Sequence, residues 1–121
     1  MKTIFNGIIP VLPSADISRD VAWYQNQTGF EAKFADEKFA VLNRDNLYLH
    51  LQWHADTVSD RLPVGLIIRI DVQNIKPLFD EFVTRGTVKQ GDLKTNTPWR
   101  TNEFIFYDLN KNVVVIMEGS D

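Results

Sequence analysis

Hydrophobic positions along the chain follow two different spacings, and the change of spacing divides the chain into short elements. Apolar residues recur at helical spacing in Ile17 to Gln27 and in Asn74 to Arg85, and a glycine follows each stretch. Apolar and polar residues alternate strictly in Leu47 to Trp53, which indicates a strand with one face toward a core. The pattern therefore predicts a protein that contains both helices and strands.

The remaining strands are predicted from short apolar runs bounded by Gly, Pro, Asn or Asp. In chain order, the predicted strands are Ile4 to Leu12, Phe30 to Phe34, Phe39 to Arg44, Leu47 to Trp53, Val64 to Asp71, a weak one at Thr87 to Lys94, Glu103 to Tyr107 and Val113 to Glu118. The order of one strand, one helix and three strands thus occurs twice, as an internal repeat. We expect an α+β fold in which two β-α-β-β-β modules form a curved mixed sheet with a concave cleft.

A polar stretch without periodicity separates the two repeats. The chain has 121 residues, enough for one hydrophobic core and too few for two independent ones. We therefore interpret residues 1–121 as a single domain, with module one at about 1–54, a linker at about 55–63 and module two at about 64–121. Neither repeat can bury its sheet alone, so the two are expected to pack together.

Composition and charge exclude several classes of function. The chain has no Cys, which rules out disulfides, thiolate metal sites and a cysteine nucleophile. Its formal net charge is −3 and it carries no run of Lys and Arg, unlike proteins that bind nucleic acid. No apolar stretch approaches the roughly 20 residues that span a bilayer, and the first residues lack a signal-peptide pattern. We expect a cytoplasmic protein that binds neither nucleic acid nor membrane.

Several segments, taken in order and spacing, resemble the vicinal-oxygen-chelate superfamily and, within it, the bleomycin-resistance branch. These segments are Val11 to Asp16, Trp23-Tyr24, Thr28-Gly29-Phe30, Phe34-Ala35-Asp36, Arg44 to Leu47, His54, Pro98-Trp99, Glu103-Phe104 and Asp108 to Asn112. In the last of them, Leu109 replaces the proline and Lys111 the glycine of the family's turn. The resemblance implies the two-module fold, a dimer, and drug binding by sequestration.

The resemblance also implies where a metal would be bound in the metal-dependent members of the superfamily. Those positions fall on Ile9, His50, Ile67 and Val115, of which three are aliphatic. Transition metals need three or more N, O or S donors, and one imidazole cannot supply them. The second histidine, His54, lies at the start of the linker and does not restore the set. We therefore predict no metal, no other cofactor and no enzymatic activity.

The candidate ligand-binding residues come from three sources: the strand alternation, whose cleft-facing side the resemblance implies; an irregular loop that resembles the family's Trp loop; and a carboxylate suited to a cationic ligand. They are Trp99, Phe39, Tyr48, His50, Arg69, Val115 and Asp36. Several alternatives stay open at this point. Trp99 either stacks on a ligand or fills a small cavity, and Arg69 either contacts the ligand or pairs with a structural carboxylate such as Glu103 or Asp71. Phe39, Tyr48 and His50 are cleft residues or simply fill a sheet face, whereas Trp23 is predicted to belong to the core.

The sequence therefore predicts a metal-free protein that sequesters a bleomycin-type or related planar aromatic antibiotic without converting it. We expect a homodimer whose clefts are built from both chains, and exchange of the first strand, which contains Pro10, is one way to form it. Two alternatives remain: a metal-dependent enzyme of the glyoxalase or dioxygenase type, and a binding module for an endogenous metabolite. The donor count argues against the first, and nothing in the sequence separates the second from drug binding.

Overall fold

The structure is a computed structural model that describes residues 1–119, which form two helices and seven strands. In chain order, the elements are β1 (Val11–Ser14), α1 (Ile17–Thr28), β2 (Glu31–Ala35), β3 (Phe39–Arg44), β4 (Leu47–Trp53), β5 (Ile67–Asp71), α2 (Ile75–Arg85), β6 (Thr101–Tyr107) and β7 (Val113–Gly119). A short 3-10 helix, Gln90–Asp92, lies between α2 and β6.

The strands form two sheets, one in each predicted module. The first sheet has the order β1-β4-β3-β2 and the second the order β5-β7-β6. In both, the first strand of the module runs parallel to its last strand, with Val11 opposite His50 and Arg69 opposite Val115. The internal repeat and the α+β class are therefore confirmed.

The helix boundaries follow local signals that the sequence contains. Helix α1 begins after Asp16, whose side chain accepts a hydrogen bond from the Arg19 backbone N–H. It ends at Gly29, with φ 74°, and α2 ends at Gly86, with φ 82°, both in the left-handed conformation that glycine adopts without steric cost. Neither α1 nor α2 is long and apolar enough to cross a membrane.

The hydrophobic core lies between the helices and one face of each sheet. In the first module, β4 contributes Leu49 and Leu51, both buried. In the second, the Phe82 ring of α2 packs edge-to-face on Phe104 and Phe106 of β6, with ring centroids 5.6 Å apart in both pairs. Because side chains alternate along a strand, the other face of each sheet points away from the helices.

A buried polar network joins the β6–β7 turn of the second module to the first module. Asp108 accepts hydrogen bonds from the Tyr24 hydroxyl at 2.6 Å and from the Asn112 side chain at 2.8 Å. The Asn110 side chain donates to Asp20 of α1 at 2.6 Å. All five side chains belong to buried residues. The turn is therefore fixed to α1 by donors and acceptors that water cannot reach.

A second polar joint lies at the C-terminal end of α1. The Arg44 guanidinium donates to the Thr28 carbonyl at 2.7 Å and to both carboxylate oxygens of Glu81 in α2, and Arg85 donates to the same carboxylate. The hydrogen bonds from Arg44, and then those from Arg85, lower the pKa of Glu81 to about 2. Glu81 thus stays ionised, and its charge ties the two helices to β3.

The predicted first strand, Ile4 to Leu12, is wrong in its boundaries. Strand β1 begins at Val11, and residues 1–10 lie outside any strand. Pairing with β4 begins where Val11 faces His50, and just before it the Pro10 carbonyl accepts the His50 N–H at 3.0 Å. The apolar pattern of the earlier residues is real, but a strand needs a partner, and this segment has none within the described chain. We call residues 1–10 the N-terminal arm.

The predicted strand at Thr87 to Lys94 is also wrong. Its middle forms the 3-10 helix, because the Asp92 carboxylate accepts the Lys89 backbone N–H at 2.8 Å and turns the chain there. Only Lys94 pairs, in an isolated bridge to Glu103. The second module therefore contains three strands where four were predicted.

The boundaries of other strands also differ from those predicted, and those of β5 and β2 have an identifiable cause. Strand β5 starts at Ile67 and not at Val64, since Gly65 has φ 80°, which interrupts an extended strand. Strand β2 runs from Glu31 to Ala35 and contains a register shift between Ala32 and Phe34. That irregularity shifts the alternation of side chains in β2, which the sequence pattern did not show.

The β6–β7 turn gives a stability prediction. Lys111 has φ 64°, a left-handed conformation that costs a residue with a Cβ roughly 1 kcal/mol. We expect Lys111→Gly to raise the free energy of unfolding, measured by urea titration, by up to about 1 kcal/mol, because the relief of strain exceeds the added freedom of the unfolded chain. The matched control is Lys89→Gly, at φ −106°, which should be neutral or destabilising. Equal effects at both positions would contradict the assigned strain.

Candidate functional site

The first sheet presents an aromatic face on the side opposite its helix. Tyr48 and His50 of β4 lie on that face, as the alternation predicted, because Leu49 and Leu51 are buried on the other one. Phe39 of β3 packs edge-on against His50, with ring centroids 5.0 Å apart. Tyr48 is exposed, while Phe39 and His50 are half-buried. The three rings are therefore open to a ligand or to another protein surface.

Asp36 lies beside this face and stabilises the turn between β2 and β3. Its carboxylate accepts the backbone N–H groups of Lys38 and Phe39, at 2.8 and 2.9 Å, in the turn between β2 and β3. It thereby fixes the start of β3 and the position of Phe39. One of its carboxylate oxygens, Oδ1, accepts both bonds, and the residue is exposed.

In the second module, Trp99 lies in a loop that hydrogen bonds hold closed. The Thr97 backbone N–H donates to the Thr101 carbonyl at 2.9 Å, and the two threonine hydroxyls lie 2.8 Å apart. Below the loop, the backbones of Lys94 and Glu103 exchange two hydrogen bonds. The Trp99 side chain is nevertheless exposed, at 61%. It does not fill a cavity within the described chain, which was one of its two possible roles.

Glu103 connects Trp99 to Arg69. One carboxylate oxygen of Glu103 accepts the indole N–H of Trp99 at 3.0 Å, and the other accepts Arg69 Nη2 at 3.1 Å. The Glu103 side chain is 5% exposed and that of Arg69 47%. Of the partners that the sequence left open for Arg69, the structure identifies Glu103. Arg69 therefore lies on the face of the second sheet that points away from α2, with one side of its guanidinium already occupied.

Val115 lies opposite Arg69 in the register of β5 and β7, but it is buried. Its neighbour by register on β6, Ile105, is partly open to solvent, as is Ile67 at the start of β5. In the described chain, Val115 is thus covered, and its neighbours Ile105 and Ile67 offer more of their surface to a ligand.

The predicted site residues fall into two groups, one in each module. Phe39, Tyr48, His50 and Asp36 belong to the first, and Trp99, Arg69 and Val115 to the second. Among residues 1–119, no aromatic ring pair joins Trp99 to a ring of the first group.

Two surface grooves show how the groups relate to open space. Tyr48 and Arg69 line a common groove of about 660 Å³, together with residues 6–10 of the N-terminal arm. A groove of about 770 Å³ beside α2 contains none of the predicted site residues. The arm, with Ile8 and Ile9, is thus a neighbour of the site that sequence reasoning had placed in a regular strand.

The four positions that the resemblance implies for a metal do not supply the donors that a metal ion needs. His50 is the one donor among them, since Ile9, Ile67 and Val115 are aliphatic and Ile9 lies in the arm. Within residues 1–119, no three His, Cys, Asp or Glu residues are grouped so that they could hold a metal ion. His54 is engaged elsewhere, with its Nδ1 2.8 Å from Asp60.

The linker that contains His54 is ordered by that carboxylate. The Ala55 backbone N–H and then the His54 ring hold the pKa of Asp60 below its usual value. His54 therefore serves the geometry of the linker and lies apart from the aromatic face that carries His50.

Comparisons with known proteins agree with this architecture. No family model matches the chain. A bleomycin resistance protein of Geobacillus stearothermophilus is 24% identical over 121 residues, covering 88% of this chain and 91% of its own length. A bleomycin resistance protein of Staphylococcus aureus matches to the same extent.

Solved structures are similar over nearly the whole chain. The bleomycin-binding protein of Streptomyces verticillus, complexed with copper(II)-bleomycin, has a TM-score of 0.75 and 24% identity, covering 98% of this chain and 99% of its own. A glyoxalase-related enzyme from Clostridium phytofermentans has a TM-score of 0.76 and 14% identity, with 97% of both chains covered. The chain therefore has the two-module fold of the vicinal-oxygen-chelate proteins, and it is similar in sequence and structure to bleomycin resistance and bleomycin-binding proteins.

Proposed function

We propose that this protein binds a planar, partly aromatic small molecule of the bleomycin type and sequesters it without chemical conversion. The observation that carries the proposal is the exposed indole of Trp99, held by Glu103 on a loop that is itself closed by hydrogen bonds. A large apolar ring that is exposed to solvent in a fixed orientation is typical of a binding surface. The similarity to proteins that bind bleomycin supports the choice of ligand class.

The chemistry of the two faces suits a planar ligand. Trp99 offers one aromatic surface, and Tyr48, Phe39 and His50 offer another. A ligand inserted between such surfaces gains affinity from buried area and from ring stacking, which contributes about 1 kcal/mol beyond burial. No catalytic group is required, because tight binding by itself lowers the concentration of free drug.

An enzyme of the glyoxalase or dioxygenase type is the rival interpretation, since an enzyme shares the fold. Its chemistry depends on a metal held at positions that in this chain are mostly aliphatic. A binding module for an endogenous metabolite would use the same surfaces as a drug-binding protein. The choice between drug and metabolite is therefore made by titration and not by geometry.

We also propose that the binding site is completed in a homodimer. The two groups of site residues belong to different modules, so a cleft closed on both sides forms when the aromatic face of one chain meets the Trp99 face of its partner. Strands β1 and β5 are edge strands of their sheets, and unpaired edges are places where another chain can add.

The N-terminal arm supports this assembly. Ile4, Phe5 and Ile8 are 78–95% exposed, although they are large and apolar. Exchange of the arm between two chains would bury these side chains and would supply the missing partner for a strand that the sequence pattern predicts there.

The first prediction from this proposal concerns Trp99. We expect Trp99→Ala to weaken binding of metal-free bleomycin, measured by calorimetric titration, by about tenfold or more while the melting temperature changes little, because an exposed loop residue contributes little to the core. Trp23, which packs against Tyr24 and Phe106 with ring centroids 5.1 and 6.1 Å apart, is the matched control. Trp23→Ala should lower the free energy of unfolding by roughly 3 kcal/mol, since it leaves a cavity.

A comparison of these two variants decides the assignment. If Trp99→Ala melts far below Trp23→Ala and the folded fraction still binds bleomycin normally, then Trp99 is a structural residue and the site lies elsewhere.

A second prediction is that binding is independent of protein-bound metal. Dialysis against a chelator should leave the affinity for metal-free bleomycin unchanged, and His50→Ala should not alter the metal content measured by elemental analysis, because one imidazole does not form a site. Stoichiometric zinc, nickel or iron that disappears in His50→Ala would refute the prediction and favour the enzyme.

The third prediction concerns assembly. We expect a dimer at micromolar concentration in light scattering, and we expect Phe5→Asp with Ile8→Asp to shift it toward monomer, because charges would have to be buried with the arm. Val58→Asp is the control, since Val58 is exposed, at 87%, in the linker and outside the arm. A monomeric wild-type protein, or equal effects of the arm and linker variants, would count against a dimer built through the arm.

A further inference from the structure

The side chains of Arg69, Glu103 and Trp99 form a continuous hydrogen-bonded chain on the face of the second sheet that points away from α2. Arg69 Nη2 donates to Glu103 Oε2 at 3.1 Å, and Trp99 Nε1 donates to Glu103 Oε1 at 3.0 Å. The exposure of the three side chains differs greatly: Glu103 is buried, Arg69 is about half-exposed and Trp99 is mostly exposed. The buried member lies in the middle and connects the two outer ones.

Glu103 is held more firmly than either of its neighbours. Its backbone N–H and carbonyl both bond to Lys94, at 2.8 and 2.9 Å, and it lies within β6 opposite Met117 of β7. A carboxylate buried to this degree requires compensating donors, because an unpaired charge away from water is costly. Arg69 supplies a charged donor, and this contact holds the Glu103 carboxylate in place as an acceptor.

These contacts fix the orientation of the Trp99 indole ring. A tryptophan on an exposed loop normally samples several side-chain rotamers, and a ligand that stacks on it must select one of them. Here the loop backbone is closed by Thr97 and Thr101, and the indole N–H is engaged by Glu103. The orientation of the ring is therefore set before a ligand arrives.

We propose that Glu103 is a positioning residue that holds the Trp99 indole in its ligand-binding orientation. Arg69 acts indirectly, because its hydrogen bond to Glu103 holds that carboxylate in position. The proposal rests on the proposed function, because it assigns Trp99 as the group that touches the ligand. It assigns to Arg69 a positioning role through one edge of its guanidinium. Preorganisation of one large side chain corresponds to a gain of about three- to tenfold in affinity.

The first test separates the ring from its N–H group. Trp99→Phe keeps an aromatic surface but removes the donor, and the residue is exposed, so the fold should survive. We expect metal-free bleomycin to bind about three- to tenfold more weakly to Trp99→Phe than to the wild type. Trp99→Ala serves as the reference for loss of the whole side chain.

The second test changes the acceptor at position 103 in a variant that lacks Arg69, so that no arginine is left without its carboxylate partner. In Arg69→Met, we compare Glu103→Gln, whose amide oxygen can still accept the indole N–H, with Glu103→Ala, which cannot. We expect Glu103→Gln to recover most of the affinity that Glu103→Ala loses. Melting temperatures of both double variants identify any loss of fold, and the comparison is made per folded molecule.

A measurement without ligand tests the hydrogen bond between the Trp99 indole N–H and Glu103 directly. In a ¹H–¹⁵N NMR spectrum, the indole signal absent from Trp99→Phe belongs to Trp99. We expect this signal to exchange slowly with solvent in the wild type and in the Glu103→Gln double variant, and rapidly in the Glu103→Ala double variant. A structural role for Glu103 that did not involve the indole would leave the signal unchanged.

The outcomes distinguish the two proposals. If Trp99→Ala loses binding while Trp99→Phe and the Glu103→Ala double variant bind as tightly as their respective parents, the positioning role is overturned and the proposed function stands. If Trp99→Ala itself binds bleomycin like the wild type, the proposed function fails, and the positioning role fails with it. Rapid exchange of the Trp99 indole N–H in the wild type would also overturn the positioning role.

Discussion

The arrangement of the two modules depends on one buried carboxylate. Asp108, in the β6–β7 turn, accepts the Tyr24 hydroxyl of α1 and the side chain of Asn112, and its Oδ1 atom accepts two backbone N–H groups of the turn. Burial, and then the charge of Asp108, raises the pKa of Tyr24 well above its usual value, so the hydroxyl remains a donor. Removing a partner from such a network leaves a desolvated group unpaired, which costs more than an ordinary hydrogen bond. At the C-terminal end of α1, Arg44 makes a second connection between the modules, because it donates both to the Thr28 carbonyl and to Glu81 of α2.

The hydrophobic periodicity predicted the strands correctly where a neighbouring strand or helix of the same chain covers one face of them. The alternation in Leu47 to Trp53 predicted correctly that Tyr48 and His50 lie opposite the core, because a strand with one buried face has no freedom to reverse. It failed for the N-terminal arm, whose apolar residues form no strand in the described chain. It failed again at residues 87–94, where one carboxylate, Asp92, turns the backbone against a weak strand preference.

The candidate site shows the same division between regular and irregular structure. Phe39, Tyr48 and His50 were located by strand parity and hairpin length, with the cleft-facing side taken from the family resemblance. The role of Trp99 was left open, since its loop has no period and its exposure depends on the pairing of two threonines across the loop. Glu103 was named only as a potential partner of Arg69. Its bond to the indole was missed, although an acceptor four residues from an exposed tryptophan, across a short loop, was a signal available in the sequence.

The β6–β7 turn has a consequence for how this chain can change during evolution. Its shape is maintained by the side chains of Asp108, Asn110 and Asn112, while Leu109 and Lys111 contribute no side-chain hydrogen bond to the buried network. Selection therefore acts on the polar partners as a set, and substitutions among them, or at Tyr24, should be accompanied by compensating changes across the joint. The side chains of the two intervening positions are under no such constraint, although Lys111 keeps a left-handed backbone conformation that favours glycine. A lineage can thus lose the recognisable form of the motif and still retain the connection between its modules.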